Sequence, residues 1–566
     1  MKETPFDDLP DEGGAALDLL LTEAATGIWR RFMPNGSTLK LATSVGRHPD
    51  QVARTVMGAA KEYAKIARGR SQVVPGKSDR RFSEPGWTDN SLLRAILQGY
   101  LVTSDAATRV VESADLDERD RERVEFVLEN LIDALAPNNL PTLNPLWWKA
   151  LIDTGGKSVL RGAKHFAQDM MSAPRVPQMV DVRPFQVGHN IAATRGGVVL
   201  RTPQFELIHY YPRAPEVART PLLIVPPVIN KFYVVDLSPH RSMVEYLLDQ
   251  GQQVFAISWR NPDVRHRDWG FDIYGTAVRS AIGAVLAITD SPSTHMMSMC
   301  SGAALSSMLA AHMVAIGEGD KIATFSMGVA VLDQSGGGTV NSLADEKTAR
   351  RAVKSSATKG YLDGASLSEI FAWLRPNDLI WNYWVNNYLQ GRKPAAFDIL
   401  FWNADATRMS AKLHADFINL FVDNKLVQPG AGMMLGTPVD LSTVKADSYI
   451  VAGIADHICP WQSCYASTQL LGGDARFILS RSGHVACLVN PPGNPKATYR
   501  AGESGTNPED ANEWLENATT VQGSWWGDYA AWLSARGGGR RVAPTDVGNE
   551  DFPVVDTAPG SYVFDK

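Results

Sequence analysis

The stretch Ser293-Thr-His-Met-Met-Ser-Met-Cys300-Ser-Gly302-Ala-Ala-Leu-Ser-Ser-Met308 holds a residue placed for covalent chemistry. Residues 294–299 read as a short buried strand and 303–314 as a helix rich in Ala, Leu and Met. Cys300 stands at the corner between them. That is the pattern of a nucleophile elbow, x-x-Nuc-x-Gly, with Cys as the nucleophile. Such a corner lifts the side chain above the C-terminal edge of a sheet. It also sets free backbone N–H groups and the positive end of a helix beside it. A thiol there is expected to have a lowered pKa. Gly302 would let the helix pack close to the strand, whereas Ser298 fills a position where the motif usually has Gly. A lone Cys in this pattern is more often a buried structural thiol, so the partners decide.

A thiol nucleophile needs a base, and the base needs an orienting acid. Both should follow the C-terminal ends of later strands, on the same sheet edge as the elbow. Among the eleven histidines, His484 in Ser480-Arg-Ser-Gly-His484 follows a strand ending at Leu479. Asp456 in Val451-Ala-Gly-Ile-Ala-Asp-His457 follows a strand ending at Ala452. An oxyanion hole would take the backbone N–H of Ser301 and a second donor from Val225-Pro-Pro-Val-Ile-Asn230. The two prolines cannot donate, which leaves Val228 or Ile229, with Val228 preferred. His457 is expected to be structural, and His295 and His312 to be occupied in packing. Cys459, Cys464 and Cys487 are expected to be inert.

The elements that must position these residues follow from periodicity. Residues 1–190 read as a helical domain, with an amphipathic stripe over 15–32. Further helices are expected at 51–67, capped by Asp50, after Asn90, over 117–135 and over 154–171. Near residue 190 the pattern changes. Strands at 197–201 and 205–211 read as an antiparallel pair. From 222 to 327 short β-branched runs alternate with helices, which implies right-handed crossovers and a mainly parallel sheet. From about 340 to 435 the chain reads as a helical, Trp-rich cap inserted into this second domain, 191–566. The sheet resumes at 448–452 and 475–479, and the last 30 residues read as loosely packed. The order Cys300, Asp456, His484 is nucleophile, acid, histidine, the chain order of α/β-hydrolases.

Composition bounds the function. The chain has 566 residues, enough for two or three domains, and 44% are hydrophobic. A net charge of −6 gives no support for nucleic-acid binding. The four cysteines show neither metal spacing nor a disulfide pattern, so free thiols in a cytoplasmic setting are expected. The opening Met1-Lys-Glu-Thr-Pro-Phe-Asp-Asp8 has no apolar core like that of a signal peptide, and no apolar run is long enough for a transmembrane segment.

Several segments then resemble one family closely. They include Asp79-Arg-Arg-Phe-Ser-Glu-Pro85, Pro226-Pro-Val-Ile-Asn-Lys-Phe-Tyr233, Ser258-Trp-Arg-Asn-Pro262 and Asp378-Leu-Ile-Trp-Asn-Tyr-Trp-Val-Asn-Asn-Tyr388. Phe397-Asp-Ile-Leu-Phe-Trp-Asn403, Asp456-His-Ile-Cys-Pro-Trp461 and Ser482-Gly-His-Val-Ala-Cys-Leu-Val-Asn-Pro-Pro-Gly-Asn-Pro495 add to them. Together they are similar to polyhydroxyalkanoate synthases over about residues 75–565. Asp236-Leu-Ser-Pro239, Asp345-Glu-Lys-Thr348 and the Ala-Pro-Gly-Ser-Tyr ending resemble class II, the medium-chain-length type.

The resemblance implies an α/β-hydrolase core with a helical N-terminal domain and a cap. It implies a polymerase of (R)-3-hydroxyacyl-CoA that releases CoA, with Cys300 carrying a thioester and His484 taking its proton. Asp456 would support the histidine or help activate the 3-hydroxyl during elongation. The CoA thioester is substrate, and no cofactor or metal is expected. The expected partners are the growing polyester and the granule surface, with a homodimer when active. Three positions depart from the family: Ser298 for Gly, Ala303 for a frequent Gly, and Cys459 for the usual Thr. A thioesterase or esterase with the same triad, and a non-catalytic granule-coating protein, are the competing readings.

Overall fold

The computed structural model describes residues 24–25, 36–77, 79–171, 173–335, 346–503 and 505–566. The amphipathic stripe over 15–32 lies outside the described residues except at Ala24 and Ala25. The chain divides into two compact units. One falls within Thr26–Asp181 and Ala365–Phe397. The other includes Val182–Gly364 and Asp398–Lys566. The stretch expected as one insertion, 340–435, is therefore shared, because 365–397 groups with the helical unit.

The helical unit contains helices Gly36–Arg47, Pro49–Ala67, Ser91–Glu112, Glu118–Ala134, Pro145–Asp153 and Lys157–Met170. Asn90 caps its helix as expected, its side chain accepting from the Leu92 and Leu93 N–H groups at 2.9 and 3.1 Å. Asp50 is not a cap. The helix begins at Pro49, whose missing N–H suits a first turn, and Asp50 lies inside that turn and pairs with Arg54 at 2.8 Å. Arg81 pairs with Asp79 and Asp133, each at 2.9 Å, and donates to Asn377 at 3.1 Å. Beside it Phe82 and Trp87 meet edge to face in a core with Leu97 and Ala136. Trp384 packs against Phe166 and Tyr388 and donates to the Asn139 carbonyl at 3.0 Å. Of these aromatics Phe82, Trp87 and Tyr388 are core residues of their own unit, while Trp384 is half-buried and Phe166 is exposed.

The second unit is built on an eleven-stranded sheet. Its strands are β1 (Gly196–Arg201), β2 (Phe205–Tyr210), β3 (Leu222–Val225), β4 (Val254–Trp259), β5 (Thr294–Met299) and β6 (Ile322–Gly328). They continue as β7 (Asp447–Gly453), β8 (Ala475–Ser480), β9 (Thr498–Ala501), β10 (Thr519–Gln522) and β11 (Asp556–Thr557). The order is β10-β9-β8-β7-β6-β5-β3-β4-β2-β1-β11. The centre, from β4 to β8, is parallel, with antiparallel strands on both flanks. The chain leaves β3 for β4 on one side and returns for β5 on the other. This reversal of winding is where open parallel sheets place their sites.

Among the described residues one helix, Phe271–Thr289, is long and apolar enough to cross a membrane, and half of that stretch is buried. It packs on helix Ser301–Ala315 and on β3 and β5. Helix Trp525–Ala535 lays Trp525, Tyr529 and Trp532 against Tyr449 of β7.

The last 30 residues are not loosely packed. β11 pairs with β1, and the Ser561 and Tyr562 N–H groups both donate at 2.9 Å to the fully buried Glu206 carboxylate. The buried Lys231 amine donates to the Asp565 carbonyl at 2.7 Å, and Arg260 lies over the Tyr562 ring. A two-residue strand and a few backbone donors carry no periodicity, so composition alone read this tail as loop.

Candidate active site

Cys300 directly follows β5 and precedes helix Ser301–Ala315, with φ 47° and ψ −124°. Its N–H donates to the Gly328 carbonyl at the end of β6, at 3.0 Å, which fixes the corner. Gly302 has the expected role. A Cβ there would lie 2.6 Å from the Pro226 carbonyl oxygen and 3.0 Å from that of Val225. Only glycine lets the helix press against the loop after β3.

Asp456 and His484 follow the ends of β7 and β8. The Asp456 carboxylate is buried. One oxygen accepts from the Ile458 and Cys459 N–H groups at 2.8 and 2.9 Å, and the other accepts from His484 Nδ1 at 2.7 Å. Because a carboxylate only accepts, Nδ1 carries the proton and the other ring nitrogen is left for the nucleophile. The two loops interlock at Gly453, where a Cβ would come within 2.3 Å of the Ser482 carbonyl oxygen. Cys300 Sγ, Cys459 Sγ and a ring nitrogen of His484 all lie within 4.8 Å of one another.

The electrostatics follow from these contacts. The Cys459 S–H, donating to Cys300, does most to lower the Cys300 thiol. Burial opposes it, and the His484 hydrogen bond and charge and the Ser301 N–H add to it, taking the thiol to about 5. Burial alone would push the His484 imidazolium down. The Asp456 charge and hydrogen bond, with help from Cys300, reverse this and hold it well above the usual histidine value. Both shifts favour the thiolate and the imidazolium. Cys459 is the mirror image: donation to Cys300, then contact with Cys464, then burial push its thiol far up.

The expected oxyanion donors are both present but differently engaged. The Ser301 N–H faces the Cys300 sulfur. The Val228 N–H donates to the Ser301 hydroxyl at 3.2 Å, so it is free for an oxyanion only when that hydroxyl turns away. His295 bonds Thr324 and His312 bonds Thr437, each at 2.9 Å. Ser298 is fully buried on β5, and its hydroxyl has no hydrogen-bond partner among the described residues.

With this geometry in place, likeness to known proteins can be weighed. A family model described as Poly-beta-hydroxybutyrate polymerase (PhaC) N-terminus matches residues 78–247, and one described as alpha/beta hydrolase fold matches 221–491. Poly(3-hydroxyalkanoate) polymerase 1 of Ectopseudomonas oleovorans is 42% identical, over 95% of this chain and 96% of the relative. The chain belongs to the poly(3-hydroxyalkanoate) polymerase family. Polymerase 2 of the same organism is 43% identical over 92% of both chains. The polymerase subunit PhaC of Cupriavidus necator is 35% identical over 89% of this chain and 86% of its own length. The sheet, its parallel centre and the elbow after β5 are those of the α/β-hydrolase fold.

Within this family frame, Cys459 is the residue the sequence reading undervalued. Asp456 accepts from the N–H groups two and three residues on, a turn that folds position 459 back beside the acid. An Asp at a strand end, followed three residues later by a polarizable side chain, was the available signal.

Proposed function

We propose that Cys300 carries the growing acyl chain as a thioester, with His484 and Asp456 moving the protons. Family membership makes the chain an acyltransferase, a poly(3-hydroxyalkanoate) polymerase. The observation that carries the finer reading is the Cys300 sulfur beside a His484 ring whose other nitrogen is held by Asp456 at 2.7 Å.

In the first step the Cys300 thiolate attacks the carbonyl carbon of a (R)-3-hydroxyacyl-CoA thioester. The C–S bond to CoA breaks, and the CoA thiolate leaves with the His484 proton. Both sides are thioesters, so the exchange is nearly balanced. The neutral His484 then accepts the proton of a 3-hydroxyl as its oxygen attacks an acyl thioester. An ester forms, a thiolate is released, and the chain grows by one unit. Ser301 N–H, joined by Val228 N–H once the Ser301 hydroxyl rotates, would hold the oxyanion in both steps. The CoA thioester is substrate, and the scheme uses no cofactor or metal. The polyester and the granule surface in the cytoplasm are the expected partners, with a homodimer as the active form.

A thioesterase with the same three residues differs only in product. The deciding assay measures CoA release from (R)-3-hydroxyoctanoyl-CoA and (R)-3-hydroxybutyryl-CoA and then sizes the product. Polymer, with the eight-carbon substrate favoured, is expected, matching the class II likeness. Cys300→Ala should release no CoA. Free hydroxy acid alone would move the reading to a thioesterase, and polymer from Cys300→Ala would end the covalent scheme.

A further inference from the structure

The second thiol at the active site carries no acyl group and moves no proton in the acyl-transfer scheme, and its placement has a chemistry of its own. Cys459 is buried, and its sulfur lies within 4.8 Å of both the Cys300 sulfur and a His484 ring nitrogen. Its backbone is fixed by the N–H bond to Asp456 at 2.9 Å and by the helix Trp461–Tyr465 that starts two residues on. Both cysteines are free thiols. We propose that Cys459 is the resolving thiol of Cys300: under peroxide the two close a reversible disulfide that switches the polymerase off and shields its nucleophile.

The Cys300 thiolate attacks one oxygen of a hydroperoxide, the O–O bond breaks, and the departing oxygen takes the His484 proton to leave as water or an alcohol. Cys300 is now a sulfenic acid, oxidised by two electrons. Its negative charge is gone, so the Cys459 thiol no longer donates to it and instead faces an electrophilic sulfur. Cys459 loses its proton to the His484 ring, now neutral, as its sulfur attacks, the S–O bond breaks, and the expelled hydroxide takes that proton from the ring and leaves as water. The new S–S bond, roughly 2.05 Å long, draws together two sulfurs that lie within 4.8 Å of each other. A dithiol reverses it by exchange. Threonine, the residue the resemblance places at 459, can donate a hydrogen bond to Cys300 but cannot form this bond. The inference therefore concerns this chain's own residue. Cys464 sets the competing outcome, since its sulfur approaches the Cys459 carbonyl at 3.7 Å.

The test treats the whole purified chain with hydrogen peroxide, a chelator present, and reads intact mass, free thiols and linked peptides. Expected are the loss of two of the four thiols, a mass lower by two hydrogens, and a peptide joining Cys300 to Cys459. CoA release should stop and return with dithiothreitol. In Cys459→Thr, whatever its starting activity, Cys300 should run on to sulfinic acid, with two oxygens added and no recovery. Cys464→Ser should still form the link. A Cys459–Cys464 link, or Cys300 sulfinic acid in the parent chain, would overturn the proposal. The mass and thiol readouts do not depend on what polymer the enzyme makes, so they stand apart from the test of the proposed function.

Discussion

At Cys300 three donors converge on one sulfur: the Cys459 thiol, the His484 ring and the Ser301 N–H. A group whose pKa is lowered stays charged down to that lowered value. Thiolate chemistry should therefore persist from pH 8 to pH 6 and fail only as pH drops through about 5. Iodoacetamide labelling of Cys300 should be nearly flat over that range, instead of falling tenfold per unit below about 8.5 as an ordinary thiol would. Asp456→Asn removes the charge that holds His484 protonated, so its labelling at pH 6 should drop by about tenfold or more. A parent midpoint near 8 would show that the sulfur rests as a thiol.

The elbow is a backbone feature before it is a chemical one. Cys300 has φ 47° with ψ −124°, a conformation that costs an L-residue about 1–2 kcal/mol relative to glycine. Cys300→Gly and Cys300→Ala are both expected to be inactive, but the glycine variant should be the more stable by about that amount, read from urea midpoints. Equal midpoints would remove the strain argument. The elbow was legible because Thr294–Met299, Cys300 and Gly302 announce a strand, a corner and a close approach within nine residues. Asp456 and His484 were legible because each follows a strand end. The nearness of Cys459 was not, because it depends on how the loop after β7 lies beside the loop after β5, a distance set by sheet order and not by local pattern. The same holds for 365–397, whose composition marks it as helical and aromatic but does not say which unit it joins.

Across the whole sheet unit, the tail residues 556–566 close what β1 and β2 begin. Without them Glu206, fully buried, would keep only Arg201, and the buried Lys231 amine would lose the Asp565 carbonyl. Deleting 556–566 should destabilise this unit by about 3–5 kcal/mol, the usual cost of leaving buried charges without their partners. It should also slow CoA release, because Lys231 follows the loop that carries Val228. An unchanged urea midpoint would reduce the tail to decoration. The pairing of β1 with β11 also bears on how the chain is made. Arg201 and Asp556, which meet across that pair, stand 355 residues apart. At a synthesis rate of about 5–20 residues per second, the edge of β1 waits roughly 20–70 s on the ribosome for its neighbour to emerge. Through that interval it offers unpaired N–H and C=O groups to any strand nearby, including those of other nascent copies on the same message.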